Sequence, residues 1–124
     1  MSLVLIVEDN ERNLKLVRDV LQAKGYATLE AGSAEEGLQL ARERAPQLIL
    51  MDIHLPGMNG IEALRALRAE ATTAAIPVIA ITASVMQQSV REVMAAGFDA
   101  LVEKPIDVRG FLETVRHTLE ATKG

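Results

Sequence analysis

The sequence has no cysteine and no tryptophan, and only 2% of its 124 residues are aromatic. Without cysteine the chain forms no disulfide bonds and no thiolate-bound metal centre, which fits a reducing compartment. The formal net charge is −4. Binding to nucleic acid depends on basic surface that neutralises phosphates, so we expect no nucleic-acid partner.

Long hydrophobic runs are also lacking. The opening run LVLIV (residues 3–7) is followed directly by Glu8 and Asp9, and it is too short for a signal peptide or a membrane span. We therefore expect a cytoplasmic protein with no membrane partner. The length and the 49% hydrophobic content predict a single domain over residues 1–124.

Short apolar segments alternate with longer amphipathic ones. The predicted strands are 3–7, 26–31, 47–52, 77–82 and 100–104, and the predicted helices are 10–24, 33–45, 60–70, 84–96 and a last one capped by Asp107. Asn10 is a predicted N-cap, Gly25 and Gly97 are predicted helix stops, and Ser33 with Glu36 forms a capping-box pattern. Apolar strands joined by helices predict a parallel sheet with helices on both faces. The less apolar segment 26–31 suits an edge strand.

Polar side chains follow four of these strands at the point where each strand ends. They are Glu8 and Asp9, then Asp52, then Thr82 and Ser84, and finally Lys104. Each of them alone is an ordinary turn, cap or surface residue, but the carboxyl ends of parallel strands meet at one edge, where ligands bind. Neighbouring carboxylates raise one another's pKa, and a divalent cation relieves this repulsion. Oxygen ligands without a histidine or cysteine cluster favour Mg²⁺ over Zn²⁺.

Four motifs together resemble the receiver domain of bacterial two-component response regulators, and in particular stand-alone regulators of the cell-division kind. They are LIVEDN (5–10), LILMDIHLPGMNG (48–60), IPVIAITA (76–83) and VEKPID (102–107). The resemblance covers essentially the whole chain, in order. It implies a doubly wound α/β fold with a five-stranded parallel sheet in the order 2-1-3-4-5 and five helices.

The same resemblance implies the chemistry of the site. Asp52 is expected to accept a phosphoryl group from a phosphohistidine on a sensor histidine kinase or a histidine phosphotransfer protein. Glu8, Asp9, Asp52 and the backbone carbonyl of His54 are expected to hold Mg²⁺. Lys104 is expected to pair with the phosphoryl oxygens. The chain is thus expected to promote its own phosphorylation and dephosphorylation and to act as no other enzyme.

The resemblance also implies a switch. Thr82 is the expected switch hydroxyl, Ala83 leaves room for the following loop to close, and the Lys104–Pro105 peptide bond is expected to be cis. Leu101 stands where the family usually has an aromatic switch residue, so we expect it to contribute little to the output and Thr82 with the following loop to contribute most. A downstream protein is expected to bind the face formed by residues 84–121, with the chain a monomer or a weak phosphorylation-dependent dimer.

Three alternatives stay open at this point. A Mg²⁺-dependent hydrolase with an aspartate nucleophile is one, but it needs a second aspartate where this chain has His54. A phosphate-independent interaction module is another, although this chain keeps the full acid, threonine and lysine set. The third is a receiver domain cut from a hybrid histidine kinase or a longer regulator.

The two histidines are interpreted separately. The side chain of His54 either lies beside the site, where it tunes water attack on the acyl phosphate, or faces solvent. His117, in TVRHTLEAT, is interpreted as a surface residue of the last helix.

Overall fold

The computed structural model describes residues 2–83 and 87–122. Its strands are β1 (Leu3–Val7), β2 (Ala27–Ala31), β3 (Leu48–Asp52), β4 (Val78–Thr82) and β5 (Ala100–Glu103). Its helices are α1 (Glu11–Ala23), α2 (Ala34–Arg44), α3 (Gly60–Ala69), α4 (Gln87–Ala96) and α5 (Val108–Thr122). These elements fall on the predicted segments, except that the predicted start of the fourth helix, 84–86, lies outside the described residues.

The strands form one parallel sheet in the order β2-β1-β3-β4-β5, which confirms the predicted topology. β2 is an edge strand, as its lower apolar content indicated. The register places Asp52 beside Ile81 and Thr82 beside Glu103. The carboxyl ends of β1, β3, β4 and β5 therefore lie at one edge of the sheet.

Both faces of the sheet are covered, because alternate residues of the central strands point to opposite sides. Leu5 and Ile49 belong to the core cluster that α2, α3 and α4 complete. Ile6 and Leu50 belong to the cluster on the other face, under α1 and α5. Each such side chain contributes roughly 1.5–3 kcal/mol by burial. Polar groups of the central strands are consequently confined to the strand ends.

The predicted capping box at the start of α2 is wrong in one half. The Ser33 hydroxyl accepts a hydrogen bond from the backbone N–H of Glu36 at 3.2 Å, as predicted. The Glu36 carboxylate, however, accepts from the backbone N–H of Gly32 at 2.9 Å and not from Ser33. The side chain thus reaches one residue further back than a capping box requires.

The predicted caps at Asn10 and Asp107 and the predicted helix stops at Gly25 and Gly97 are confirmed. Asn10 Oδ1 accepts hydrogen bonds from the backbone N–H groups of Arg12 and Asn13. Asp107 Oδ2 accepts from the backbone N–H of Gly110 at the start of α5. Gly25 and Gly97 adopt positive φ angles of 88° and 109° after α1 and α4, a conformation that glycine adopts without steric cost and that ends a helix.

Candidate functional site

Three carboxylates come together at the carboxyl edge of the sheet. Glu8 and Asp9 follow β1, and Asp52 is the last residue of β3. One oxygen from each of these side chains lies within 4.8 Å of the other two. Glu8 and Asp52 are buried, whereas Asp9 is exposed, so the cluster opens to solvent on one side.

A single cation reaches two of these acids. The Lys104 ammonium donates hydrogen bonds to Glu8 Oε1 at 3.0 Å and to Asp52 Oδ2 at 2.9 Å. Lys104 follows β5, and its backbone N–H donates to the carbonyl of Thr82 at 2.8 Å. The peptide bond between Lys104 and Pro105 is cis. The lysine is therefore fixed to the end of β4 by its backbone while its side chain lies among the acids.

The pKa values of the two buried acids are shifted in opposite directions. Burial and, next, the contact with Asp52 raise the pKa of Glu8 to about 7. Burial would also raise the pKa of Asp52, but its contacts with Glu8 and Lys104 and the hydrogen bond from the backbone N–H of His54 outweigh it and lower this pKa. Burial disfavours the charged form of Lys104, yet its contacts with Asp52 and Glu8 raise its pKa. Asp52 is thus held ionised, which is the state a carboxylate nucleophile needs.

One buried oxygen of the cluster belongs to Glu8 and differs from the others in its contacts. Glu8 Oε2 is buried, and no hydrogen-bond donor contacts it among the residues that the structure describes. A buried carboxylate oxygen without a partner is costly to the fold. Since the surrounding ligand atoms are all carboxylate oxygens, the arrangement fits a hard divalent cation such as Mg²⁺.

The loop after β3 is folded back against the strand end. A Cβ atom at Gly60 would lie 2.8 Å from the carbonyl oxygen of Asp52 and 2.9 Å from Ile53 Cα, so only glycine fits there without a shift. Asn59 and Glu62 form a reciprocal capping box at the start of α3. This box was not predicted from the sequence, although the N-x-x-E spacing before an apolar segment is its signal. These contacts fix the path of residues 53–60.

His54 contacts both the acid cluster and Thr82. Its backbone N–H donates to Asp52 Oδ1 at 2.9 Å, and its ring Nε2 lies 3.3 Å from Thr82 Oγ1. Thr82 is buried at the end of β4, whereas His54 is exposed. Both residues line an open cleft of about 620 Å³ that also includes Asp9 and Pro56. The imidazole therefore lies beside the site and is also exposed to solvent, so each alternative holds in part, and the role in water attack stays a prediction.

The remaining predicted residues are Ala83, Ser84, Leu101 and His117. Ala83 is exposed directly after β4, and Ser84 lies outside the described residues. Leu101 on β5 is half-buried against the core cluster under α4. His117 is exposed on α5, where its ring nitrogen lies 3.2 Å from the Arg116 guanidinium, as expected for a surface residue.

Comparison with known proteins gives matches over nearly the whole chain. The family model of the response regulator receiver domain matches residues 4–116. The polar-differentiation response regulator DivK of Brucella ovis is 46% identical over 116 residues, which are 94% of each chain. DivK of Brucella anthropi is 45% identical over the same share of both chains.

Solved structures with similar folds are also known. A CheY-like receiver domain protein from Methanospirillum hungatei is 28% identical with a TM-score of 0.90, covering 99% of this chain and 97% of the other. The receiver domain of a sensor histidine kinase from Pseudomonas aeruginosa is 26% identical with a TM-score of 0.89, covering 96% and 98% of the two chains. That second structure has a magnesium ion coordinated in its active site cleft. In this chain, no helix within residues 2–83 and 87–122 has the length and apolar character needed to cross a bilayer.

Proposed function

Because this chain belongs to the response regulator receiver domain family of two-component signalling, we propose that Asp52 is its phosphoacceptor. The observation that supports this most directly is the environment of Asp52. Its carboxylate ends a buried strand and is kept ionised between the Lys104 ammonium and the His54 N–H. Because the chain belongs to this family, we prefer this function to that of a hydrolase with an aspartate nucleophile.

The proposed reaction is transfer from a phosphohistidine of a sensor histidine kinase or a histidine phosphotransfer protein. An Asp52 oxygen attacks the phosphorus, so that a P–O bond forms as the N–P bond breaks. The donor imidazole keeps the bonding electron pair and takes up a proton. Lys104, which already donates to Asp52 Oδ2, balances negative charge on the phosphoryl oxygens.

We further propose that Glu8, Asp9 and Asp52 hold Mg²⁺ together with the backbone carbonyl of His54. This assignment is supported by the clustered carboxylates and by Glu8 Oε2, which accepts no hydrogen bond from the part of the chain that the structure describes. When bound, the ion neutralises charge on the transferring phosphoryl group. Asp9 is the exposed member of the cluster, so it is the acid through which the site meets solvent.

The output is proposed to run through Thr82. A phosphoryl group adds roughly −1.5 to −2 charges and strong acceptor oxygens at Asp52. The Thr82 hydroxyl moves towards these oxygens, Ala83 leaves room for that movement, and Leu101 follows weakly. This movement changes the face formed by residues 84–121, of which 84–86 lie outside the described residues, and a downstream protein binds there.

The remaining assignments are parts of the same proposal. Residues 1–124 form one cytoplasmic receiver domain, a monomer or a weak phosphorylation-dependent dimer, without a nucleic-acid or membrane partner. The chain promotes only its own phosphorylation and dephosphorylation. The net charge of −4 supports the expectation of no nucleic-acid partner. A place within a hybrid kinase or a longer regulator is compatible with the same site.

The test is incubation with acetyl phosphate and Mg²⁺ followed by intact-mass measurement. We expect one phosphate adduct on the native protein, none on Asp52→Asn, and little when EDTA removes the metal. The matched control is Asp107→Asn, which alters another, exposed aspartate and should keep the adduct. An adduct that persists in Asp52→Asn would show that a different residue is modified. No adduct on the native protein would favour the phosphate-independent module.

A further inference from the structure

His54 connects the two ends of the proposed switch. Its backbone N–H is bonded to Asp52 Oδ1, and its ring lies within hydrogen-bond distance of Thr82 Oγ1, 28 positions further along the chain. One residue thus contacts both the phosphoacceptor and the hydroxyl that is expected to respond to phosphorylation.

We propose that His54 is a positioning residue that holds the Thr82 hydroxyl in its unphosphorylated position, so that this contact must break before Thr82 can reach the phosphoryl group. The inference rests on the proposed function of Asp52 and Thr82. It assigns to the imidazole a role in setting the balance between the two positions of the hydroxyl.

The side chain of Thr82 has few positions available to it. Its side chain is buried, at 3% exposure, and is branched at Cβ, so the hydroxyl has only a few staggered positions. A hydroxyl has a single proton to donate. If this proton is given to His54 Nε2, it is not available to a phosphoryl oxygen. If Nε2 instead donates to Oγ1, rotation of the hydroxyl away from the ring still breaks the bond.

The backbone that carries the His54 imidazole is fixed by its own contacts. The His54 N–H is fixed by the Asp52 carboxylate, and the loop that follows is closed by Gly60 against the Asp52 carbonyl and by the capping box of Asn59 and Glu62. An exposed histidine on an unrestrained loop would sample many positions. Here the loop directs the ring to the cleft that Thr82 lines.

The expected effect is modest, because a neutral hydrogen bond as long as 3.3 Å is weak. Its loss should change the equilibrium between the two positions by about two- to tenfold. The change His54→Phe keeps a ring of similar size and removes both nitrogens. It should therefore favour the phosphorylated-like position. His54→Gln keeps a polar group near the same place and should remain within about twofold of the native protein.

The experiment is a titration with Mg²⁺ and beryllofluoride, a phosphoryl analogue, with the bound fluorine signal measured by fluorine NMR. The native protein, His54→Phe, Thr82→Val and the double variant form a cycle. Thr82→Val keeps the shape of the side chain and removes the hydroxyl. Thermal unfolding of all four proteins confirms that each one folds.

We expect His54→Phe to tighten beryllofluoride binding by about two- to tenfold in the native background and to have no effect in the Thr82→Val background. An equal effect in both backgrounds would mean that the ring acts directly on access to Asp52 or on water, and it would overturn the inference. Unchanged or weaker binding by His54→Phe in the native background would also overturn it.

A wrong assignment of Asp52 as the phosphoacceptor would give different results from a wrong role for His54. If the analogue does not load the native protein, or loads Asp52→Asn equally well, the phosphoacceptor assignment fails and the inference falls with it. If loading depends on Asp52 but His54 and Thr82 show no coupling, only the role of His54 is wrong.

Discussion

The Lys104 ammonium donates a 2.9 Å hydrogen bond to Asp52 Oδ2 although their strands, β5 and β3, are separated by β4 in the sheet. The same ammonium also reaches Glu8, which follows β1, the next strand beyond β3. One long side chain therefore spans the carboxyl edge of the sheet and supplies the positive charge for two buried acids.

Replacement of Lys104 by methionine should destabilise the metal-free protein. The substitution leaves Glu8 and Asp52 buried without a counter-charge. Removing one partner of a buried ion pair typically lowers the free energy of unfolding by about 3–5 kcal/mol. The loss is smaller here because Glu8 takes up a proton. We expect a loss of about 2–3 kcal/mol in the free energy of unfolding, measured with urea in EDTA. The exposed Lys24→Met should change it by less than about 0.5 kcal/mol. Equal stability of the two variants would contradict the proposed charge balance.

Replacement of Glu8 by glutamine should stabilise the metal-free protein, and more so at high pH. The pKa of this buried acid is raised to about 7 in the folded state. Folding therefore disfavours the ionised form of Glu8. The folded protein loses stability as the pH rises from the pKa of Glu8 in the unfolded chain to its higher pKa in the folded protein. We expect Glu8→Gln to gain about 1–3 kcal/mol at pH 8 and clearly less at pH 5. Urea unfolding in EDTA at both pH values measures this difference. A larger gain in stability at pH 5 than at pH 8 would contradict the predicted pH dependence.

Replacement of Gly60 by alanine should disturb the loop that carries His54. The new Cβ would lie 2.8 Å from a backbone oxygen and 2.9 Å from a backbone carbon, so the backbone has to shift. We expect a loss of about 1–3 kcal/mol in thermal or urea unfolding. Gly32→Ala is the matched control, because a Cβ there meets no atom within 4 Å. Equal stability of the two variants would show that the close contact at position 60 does not contribute to the free energy of unfolding.

The output of the switch should depend more on Thr82 than on Leu101. A leucine has no ring edge and no polar tip with which to distinguish two positions. Moving an equilibrium from 1:99 to 99:1 takes about 5.5 kcal/mol, of which Leu101 should contribute little. We expect Thr82→Ala to keep the phosphate adduct but to lose the phosphorylation-linked changes in amide NMR spectra over residues 83–103. Leu101→Ala should reduce these changes only partly, and the opposite ranking would contradict this account.

Much of the fold follows from local pattern. The apolar segments 48–52 and 78–82 are buried throughout, as expected for central strands of a parallel sheet. The capping side chains of Asn10 and Asp107 mark the starts of α1 and α5. These signals are readable because they involve residues only a few positions apart.

The clustering of three carboxylates could likewise be predicted from the sequence, namely those of Glu8, Asp9 and Asp52. Once the strands are parallel, their carboxyl ends share an edge whatever the details of the packing. The resemblance to receiver domains added the strand order and the expected role of each residue. The half-wrong capping box at Ser33 shows the limit of such patterns, since Gly32 and Ser33 present competing N–H groups one residue apart.

The sequence by itself determined the alternation of strands and helices, the edge at which the site forms and the oxygen ligands available there. Only the tertiary structure decided that Glu8 is buried while its neighbour Asp9 is exposed, that Lys104 binds Glu8 across 96 positions, and that the His54 ring meets Thr82. The reason is physical. Where a strand ends is set by neighbouring residues, but where its terminal side chain points is set by the register of the adjacent strands and the path of the loops, which involve residues distant in the chain.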